Sequence, residues 1–226
     1  VKQFGFALLF AALAGPAAAQ TPPSPSEVAA YSGLHAAATK GDTAEIARLL
    51  KSGAAVDARD NFARTPLHVA IYRSHGPAAL ALIKGGADPN ALEAQQYDIV
   101  TIASVANDLP MLKLALANGG KATNITSPYV GTALIAAAHL GHDEVVRTLI
   151  AAKAPLDHVN NLSWTALIES IVLGDGGKRH TASLQALVKA GANVNLADRS
   201  GRTPLALAKG RGYAEMVKIL EAAGAK

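Results

Sequence analysis

Leu67, in the stretch RTPLHVA from Arg64 to Ala70, has counterparts at Leu34, Val100, Leu134, Leu167 and Leu205, separated by 33, 33, 34, 33 and 38 residues. A second landmark keeps the same phase: SGAAVD at 52–57, GGADPN at 85–90, GGKATN at 119–124, AKAPLD at 152–157, AGANVN at 190–195 and the terminal AGAK. A chain that repeats itself at this interval builds one small unit six times, and no unit can bury its apolar face alone. The only economical solution is a stack in which each unit covers the next.

The residues within a unit specify two helices and a turn. Thr65 is placed to cap a helix whose Pro66 occupies the first helical position, where a missing N–H costs nothing. Leu67 and Ala70 then face the interior. A second helix follows with a periodic apolar face, as in EIARLL (45–50), EVVRTLI (144–150) and EMVKIL (215–220). Gly86 and its equivalents are placed to end that helix in the left-handed conformation, and the Asp/Asn-rich segment beyond turns the chain toward the next unit. Half the residues are apolar but only 4% are aromatic, and the abundant alanine suits close helix packing better than a sheet.

TPLH and GADPN in the second unit, Gly141-His142 and RTPLALA at 202–208 make the segment from Glu27 to Lys226 resemble the ankyrin repeat. The resemblance implies an all-α repeat solenoid of six helix-turn-helix units joined by β-hairpin-like finger loops. The units are expected at about 27–59, 60–92, 93–126, 127–159, 160–197 and 198–226. It also implies that His68 is structural, its ring fastening the threonine hydroxyl and local backbone; no phased serine or cysteine nucleophile stands with it. Two units depart from the pattern. The third (DIVTIASVANDLPML) lacks TPLH and its threonine cap and carries Pro110, which makes it the expected weak point of the stack. The fifth has an insertion, DGGKR at 175–179, read as a surface loop, after which His180 keeps the Gly-His register.

Residues 1–19 read as a secretory leader: Lys2, an apolar run from Phe4 to Ala14, a Gly15-Pro16 break and Ala17-Ala18-Ala19, with cleavage expected between Ala19 and Gln20. The run is too short for a membrane span, so none is expected after leader removal. The chain is accordingly expected in a bacterial periplasm or outside the cell. Residues 20–26, QTPPSPS, read as an extended or disordered linker. Loss of Lys2 would lower the formal charge from +4 to +3.

Candidate chemistry is sparse. There are no cysteines, which excludes disulfides and thiolate catalysis. His75, His142 and His180 share the turn between the two helices of their units, and with His139 and Asp175 they are the one conceivable metal cluster. The repeat already accounts for the first three, so no metal and no cofactor is expected. Basic residues are scattered and no nucleic-acid motif appears, which argues against nucleic acid as a partner.

What remains is binding. The resemblance implies a non-enzymatic module that contacts proteins through its fingers and the exposed side of the first helix, at five variable positions per unit: −4, −3 and −1 relative to the motif threonine, and +7 and +8. These positions hold the aromatics Tyr31, Phe62, Tyr72, Tyr97, Tyr129 and Trp164 and the bases Lys40, Arg64, Arg73, Arg199, Arg202 and Arg211, with no acid. His139 joins them at +7. Aromatics and arginines are the usual anchors of interfaces. The pattern predicts a monomer binding an acidic protein surface on the concave side, with Arg64, Arg73 and Trp164 among the costly positions. The resemblance extends to exported ankyrin proteins of Gram-negative bacteria, some associated with periplasmic catalase, which implies a link to oxidative-stress defence. Two alternatives are a secreted effector engaging a host protein and, in another class, a hydrolase or metal-binding protein.

Overall fold

The computed structural model describes residues 20–226, so the expected leader lies outside the described residues. A short helix α1 (Pro25–Ala30) precedes six helix pairs: α2 (Gly33–Lys40) with α3 (Thr43–Lys51), α4 (Pro66–Tyr72) with α5 (Gly76–Lys84), α6 (Ile99–Val105) with α7 (Leu109–Ala117), α8 (Ala133–His139) with α9 (Asp143–Ala151), α10 (Ala166–Val172) with α11 (Lys178–Lys189), and α12 (Pro204–Arg211) with α13 (Ala214–Ala222). Among the described residues there is no strand, only an isolated bridge between Thr126 and Gly131 in the fourth finger. The first helices of the pairs pack on one another in order and form an inner row; the second helices form an outer row. The architecture is an all-α repeat solenoid.

The register found in the sequence is the register of the core. Leu34, Leu67, Val100, Leu134, Leu167 and Leu205 are all buried, and so is the position three residues on, Ala37, Ala70, Ala103, Ala137, Ser170 and Ala208. A small side chain there is what lets consecutive inner helices approach closely. Thr65, Thr132, Thr165 and Thr203 each cap their helix by accepting the N–H three residues ahead. The third unit is not uncapped as its sequence suggested. Asp98 takes the threonine's place and accepts from the Thr101 N–H and hydroxyl, both at 2.8 Å. Pro110 lies in the first turn of α7, where it displaces no helical hydrogen bond.

A second series locks each unit to the one before it. The residue ten positions after the cap, or fifteen in the fifth unit with its five-residue insertion, reaches back to the preceding inner helix or the turn that follows it. His75 Nε2 lies 3.0 Å from the Thr39 carbonyl, His142 Nδ1 3.0 Å from that of Ser104, and His180 Nε2 2.9 Å from that of His139. In the third unit Asp108 accepts from the Ser74 hydroxyl, and in the sixth the Tyr213 hydroxyl donates to the Gly174 carbonyl at 2.8 Å. The inserted residues before His180 leave this lock in place; Asp175 turns back to meet the other ring nitrogen at 2.8 Å.

Residues 20–26 are not a free linker. Ser24 and Glu27 form a reciprocal cap for α1, Pro23 is buried, and the Thr21 backbone bonds to side chains of the second and third units.

Candidate protein-interaction surface

Each finger from the second to the sixth is built on one side chain five residues before the cap. Asp60 Oδ1 accepts the N–H groups of Phe62 and Arg64, at 2.8 and 2.9 Å. Glu93 does the same for Gln95 and Tyr97, Ser127 for Tyr129 and Gly131, Asn160 for Leu162 and Trp164, and Asp198 for Ser200 and Arg202. A side-chain acceptor that satisfies two alternate turn amides fixes the finger without any strand pairing. The residue two before the cap then takes a positive φ in every one of these fingers: Ala63, Gln96, Val130, Ser163 and Gly201. Neighbouring tips are joined by backbone bonds, Ala94 N–H to the Phe62 carbonyl, Ser127 N–H to that of Gln96 and Asn161 N–H to that of Tyr129. At the last joint a side chain does this work, Arg199 Nη2 donating to the Asn161 carbonyl at 2.9 Å.

His68 is fully occupied. Its Nδ1 accepts the Thr65 N–H at 3.1 Å, which leaves the proton on Nε2, 3.0 Å from the Ala91 carbonyl of the next finger. Burial pushes its pKa down to about 4, so it stays neutral and has no free nitrogen to act as a base. His35 also reaches the next finger, its Nε2 2.9 Å from the Arg64 carbonyl. Among the described residues, no group of three or more His, Asp or Glu side chains is arranged to hold a metal ion.

The predicted contact residues divide by exposure. Lys40, Phe62, Arg73, Arg199, Arg202 and Arg211 are exposed; Tyr31, Tyr72, Tyr129, His139 and Trp164 are half-buried. Tyr97 is buried in the core, and Arg64 is only 1% exposed. Arg64 therefore offers no free charge. Its guanidinium lies 4.7 Å from the Phe62 ring centroid and pairs with Asp60 at 2.7 Å and with Glu27. Burial alone would raise the Asp60 carboxyl, but the hydrogen bonds from Tyr31 and Arg64 bring it below the usual carboxylate range. Arg202 is likewise paired, with Asp198 at 2.8 Å, although it remains in solvent. Lys40, Arg73, Arg199 and Arg211 make no ion pair among the described residues. His139 meets Glu169 at 3.2 Å, and Glu169 accepts from the fifth finger's anchor, Asn160, at 3.0 Å.

Sequence reasoning passed over the acids beneath the arginines, although D-x-x-x-R recurs at 60–64 and 198–202. It also passed over the aliphatics. The large apolar side chains exposed to solvent are Phe62, Leu92, Ile125, Val130, Leu140, Val159, Leu162 and Leu173. Every one lies in a finger loop or at the C-terminal end of an inner helix, and none lies on an outer helix.

A family model for ankyrin repeats (three copies) matches residues 7–93 and 100–178. This chain belongs to the ankyrin-repeat family. The match begins within the segment read as a leader. The ankyrin repeat protein YahD of Escherichia coli K12 is 33% identical over 190 residues, covering 84% of this chain and 94% of that one. A crystal structure of an ankyrin repeat domain from Acinetobacter baumannii is 46% identical with a TM-score of 0.81, covering 85% of this chain and 98% of that one. The B-cell lymphoma 3 protein homolog of the mouse is 30% identical, over 85% of this chain but only 44% of that protein. Ankyrin repeats are general protein–protein interaction modules, and the fold is typically a non-enzymatic scaffold. No described helix is long and apolar enough to cross a membrane.

Proposed function

We propose that this ankyrin protein is a non-enzymatic binding module that engages a partner protein through its fingers and inner-helix ends. The observation that carries the reading is the one-sided distribution of exposed apolar side chains. Soluble surfaces scatter such residues, and their concentration on one side marks a contact surface. Leu140 and Leu173 occupy the same register in the fourth and fifth units, with Trp164 and Leu162 in the finger of the fifth, which sets an apolar centre toward the middle of the stack. Lys40 and Arg73 lie toward one end and Arg199 and Arg211 toward the other. An apolar centre with cationic flanks suits a partner whose contact patch is apolar and rimmed by acids. The acidic preference rests on those four bases, since Arg64 and Arg202 are neutralised by their own aspartates.

The leader pattern supports a periplasmic or secreted location, and the resemblance to exported relatives supports a role in oxidative-stress defence. N-terminal sequencing of protein from periplasmic extract should then begin at Gln20; recovery of the uncut chain would argue against export.

The binding surface is tested by affinity capture on the full chain. A partner retained by the parent and by Gln185→Glu on the outer helix α11, but lost by the Leu140→Glu, Leu173→Glu double variant, supports the reading. A partner that ignores the double variant and is lost with Gln185→Glu places the surface on the outer row and ends it. Arg73→Ala should mainly slow association at low salt.

A further inference from the structure

The first part of this surface is already occupied by the chain itself. The Thr21 N–H donates to Gln95 Oε1 at 3.3 Å, and the Thr21 carbonyl accepts from Arg64 Nη1 at 3.3 Å. These partners stand 74 and 43 residues away, in the third and second fingers. Two residues on, Pro23 is buried, and beyond it the Glu27 carboxylate pairs with the same Arg64 guanidinium. A backbone N–H and carbonyl both taken by finger side chains and one buried proline are the contacts of a docked extended peptide, and the carboxylate follows from the first turn of α1.

The fit is incomplete. The Tyr72 hydroxyl, at the end of α4, and the Gln20 side-chain amide are buried without a hydrogen-bond partner among the described residues. Burial, reinforced by the nearby Glu93 carboxylate, pushes the Tyr72 hydroxyl upward, so it remains a donor at neutral pH. A buried donor left unpaired costs free energy that an occupant with an acceptor in that place would recover. The occupant in cis is held partly by its tether, which supplies a high local concentration without perfect complementarity.

We infer that Arg64, Tyr72 and Gln95 line a peptide groove which residues 20–27 occupy in cis, and that a partner enters it by presenting an extended, proline-containing segment followed by a carboxylate for Arg64. The inference rests on the finger and inner-helix face being the interaction surface, and it names the kind of segment that face receives. Entry requires the chain's own residues to leave, so apparent affinity is reduced by the fraction of time the groove is free.

The test uses the full chain and a fluorescent peptide of the sequence of residues 20–27, QTPPSPSE. Pro23→Asp puts a carboxylate where a proline is buried and should vacate the groove. Thr21→Pro removes the N–H given to Gln95 at an exposed position, and it serves if Pro23→Asp proves unfolded by circular dichroism. The vacated variant should bind the peptide at least tenfold more tightly than the parent. Adding Gln95→Ala should weaken it at least threefold, and a peptide with glutamine at its last position should bind about tenfold more weakly. Equal binding by parent and vacated variant, no binding by either, or indifference to the glutamate would overturn the inference. A partner still captured through Leu140 and Leu173 in that case leaves the broader reading standing.

Discussion

The second and sixth fingers carry the same short pattern, an aspartate followed four residues later by arginine, and their local geometry is the same. In both, the aspartate accepts the arginine's own N–H at 2.9 Å, and its second oxygen takes the guanidinium Nε, at 2.7 Å from Arg64 and 2.9 Å from Arg202. Yet the Arg64 side chain is 1% exposed and that of Arg202 is 58% exposed. Within the finger, the Phe62 ring stacks on Arg64 where the sixth finger has only Ser200, but one ring covers one face of the guanidinium and leaves the rest to be covered from elsewhere. Residues 20–27 lie over Arg64, and no described segment does so for Arg202. The local motif sets the hydrogen bonds; a distant segment sets whether the charge is a surface feature or part of the interior.

The comparison predicts unequal costs for equal substitutions. Arg64→Ala leaves Asp60 and Glu27 facing a buried gap, and breaking a buried pair from one side costs about 3–5 kcal/mol. Arg202→Ala removes an exposed partner and should cost less than about 1 kcal/mol. Urea unfolding of the two variants, with m-values compared to confirm that the same surface unfolds, measures both. Similar losses at the two sites would mean that the overlying segment contributes nothing to the second finger.

Acid should separate the same two regions. His68 fastens the second unit to the third, whereas Ala206 stands in its place in the sixth. The folded-state pKa of His68, about 4, lies below the 6.5 of an exposed imidazole. The unfolded chain therefore takes the proton first as the pH falls. The contribution of His68 is full above pH 6.5 and is lost on the way down to pH 4, on the order of 3 kcal/mol in all. Hydrogen exchange of the α4 amides should accelerate over that window more than exchange of the α12 amides. His68→Gln keeps a donor and an acceptor but does not titrate, and it should flatten the difference. Asp198 is held below the usual carboxylate range, where burial is outweighed by the Arg202 N–H and guanidinium, so its loss lies at lower pH.

These contrasts also mark how far the sequence could be read. Phase, helix pairs, threonine caps and the role of His68 were legible because each depends on residues within one unit or the next. Asp98 as a cap was missed through looking for threonine alone, although aspartate serves the same end. The finger anchors at 60 and 198 were legible in principle from their spacing. The burial of Arg64 was not, because a Pro/Ser-rich stretch carries no periodic signal to show where it docks. Counting aromatics and arginines also hid the aliphatic surface: Leu140 and Leu173 stand at variable positions, eight residues after their caps, but carry neither a ring nor a charge. A leucine at the end of an inner helix is core or contact depending on what packs over it, and composition says nothing about that.

The smallest predicted effect is the most exacting test of whether the two fingers are locally the same. The residue two before the cap is left-handed in both, Ala63 at φ 55° and Gly201 at φ 75°, and each donates its N–H to the anchoring aspartate's carbonyl at 2.9 Å. A Cβ on Gly201 would meet no atom within 4 Å, so Gly201→Ala introduces backbone strain and no clash. That strain costs about 1–2 kcal/mol, partly offset by the lower entropy of the unfolded chain, for a net loss of about 0.5–1 kcal/mol. Ala63→Gly should return the same amount with the opposite sign. Equal and opposite shifts in the unfolding midpoints would establish one backbone turn used twice, with the difference between Arg64 and Arg202 supplied by what packs on it. The second finger has one further tie, Arg59 Nη1 bridging the carbonyls of Ala63 and Leu92 at 2.8 and 2.7 Å, where the sixth has Ala197. If that bridge stiffens the turn, Ala63→Gly will gain less than Gly201→Ala loses, and removing it with Arg59→Ala should restore the symmetry.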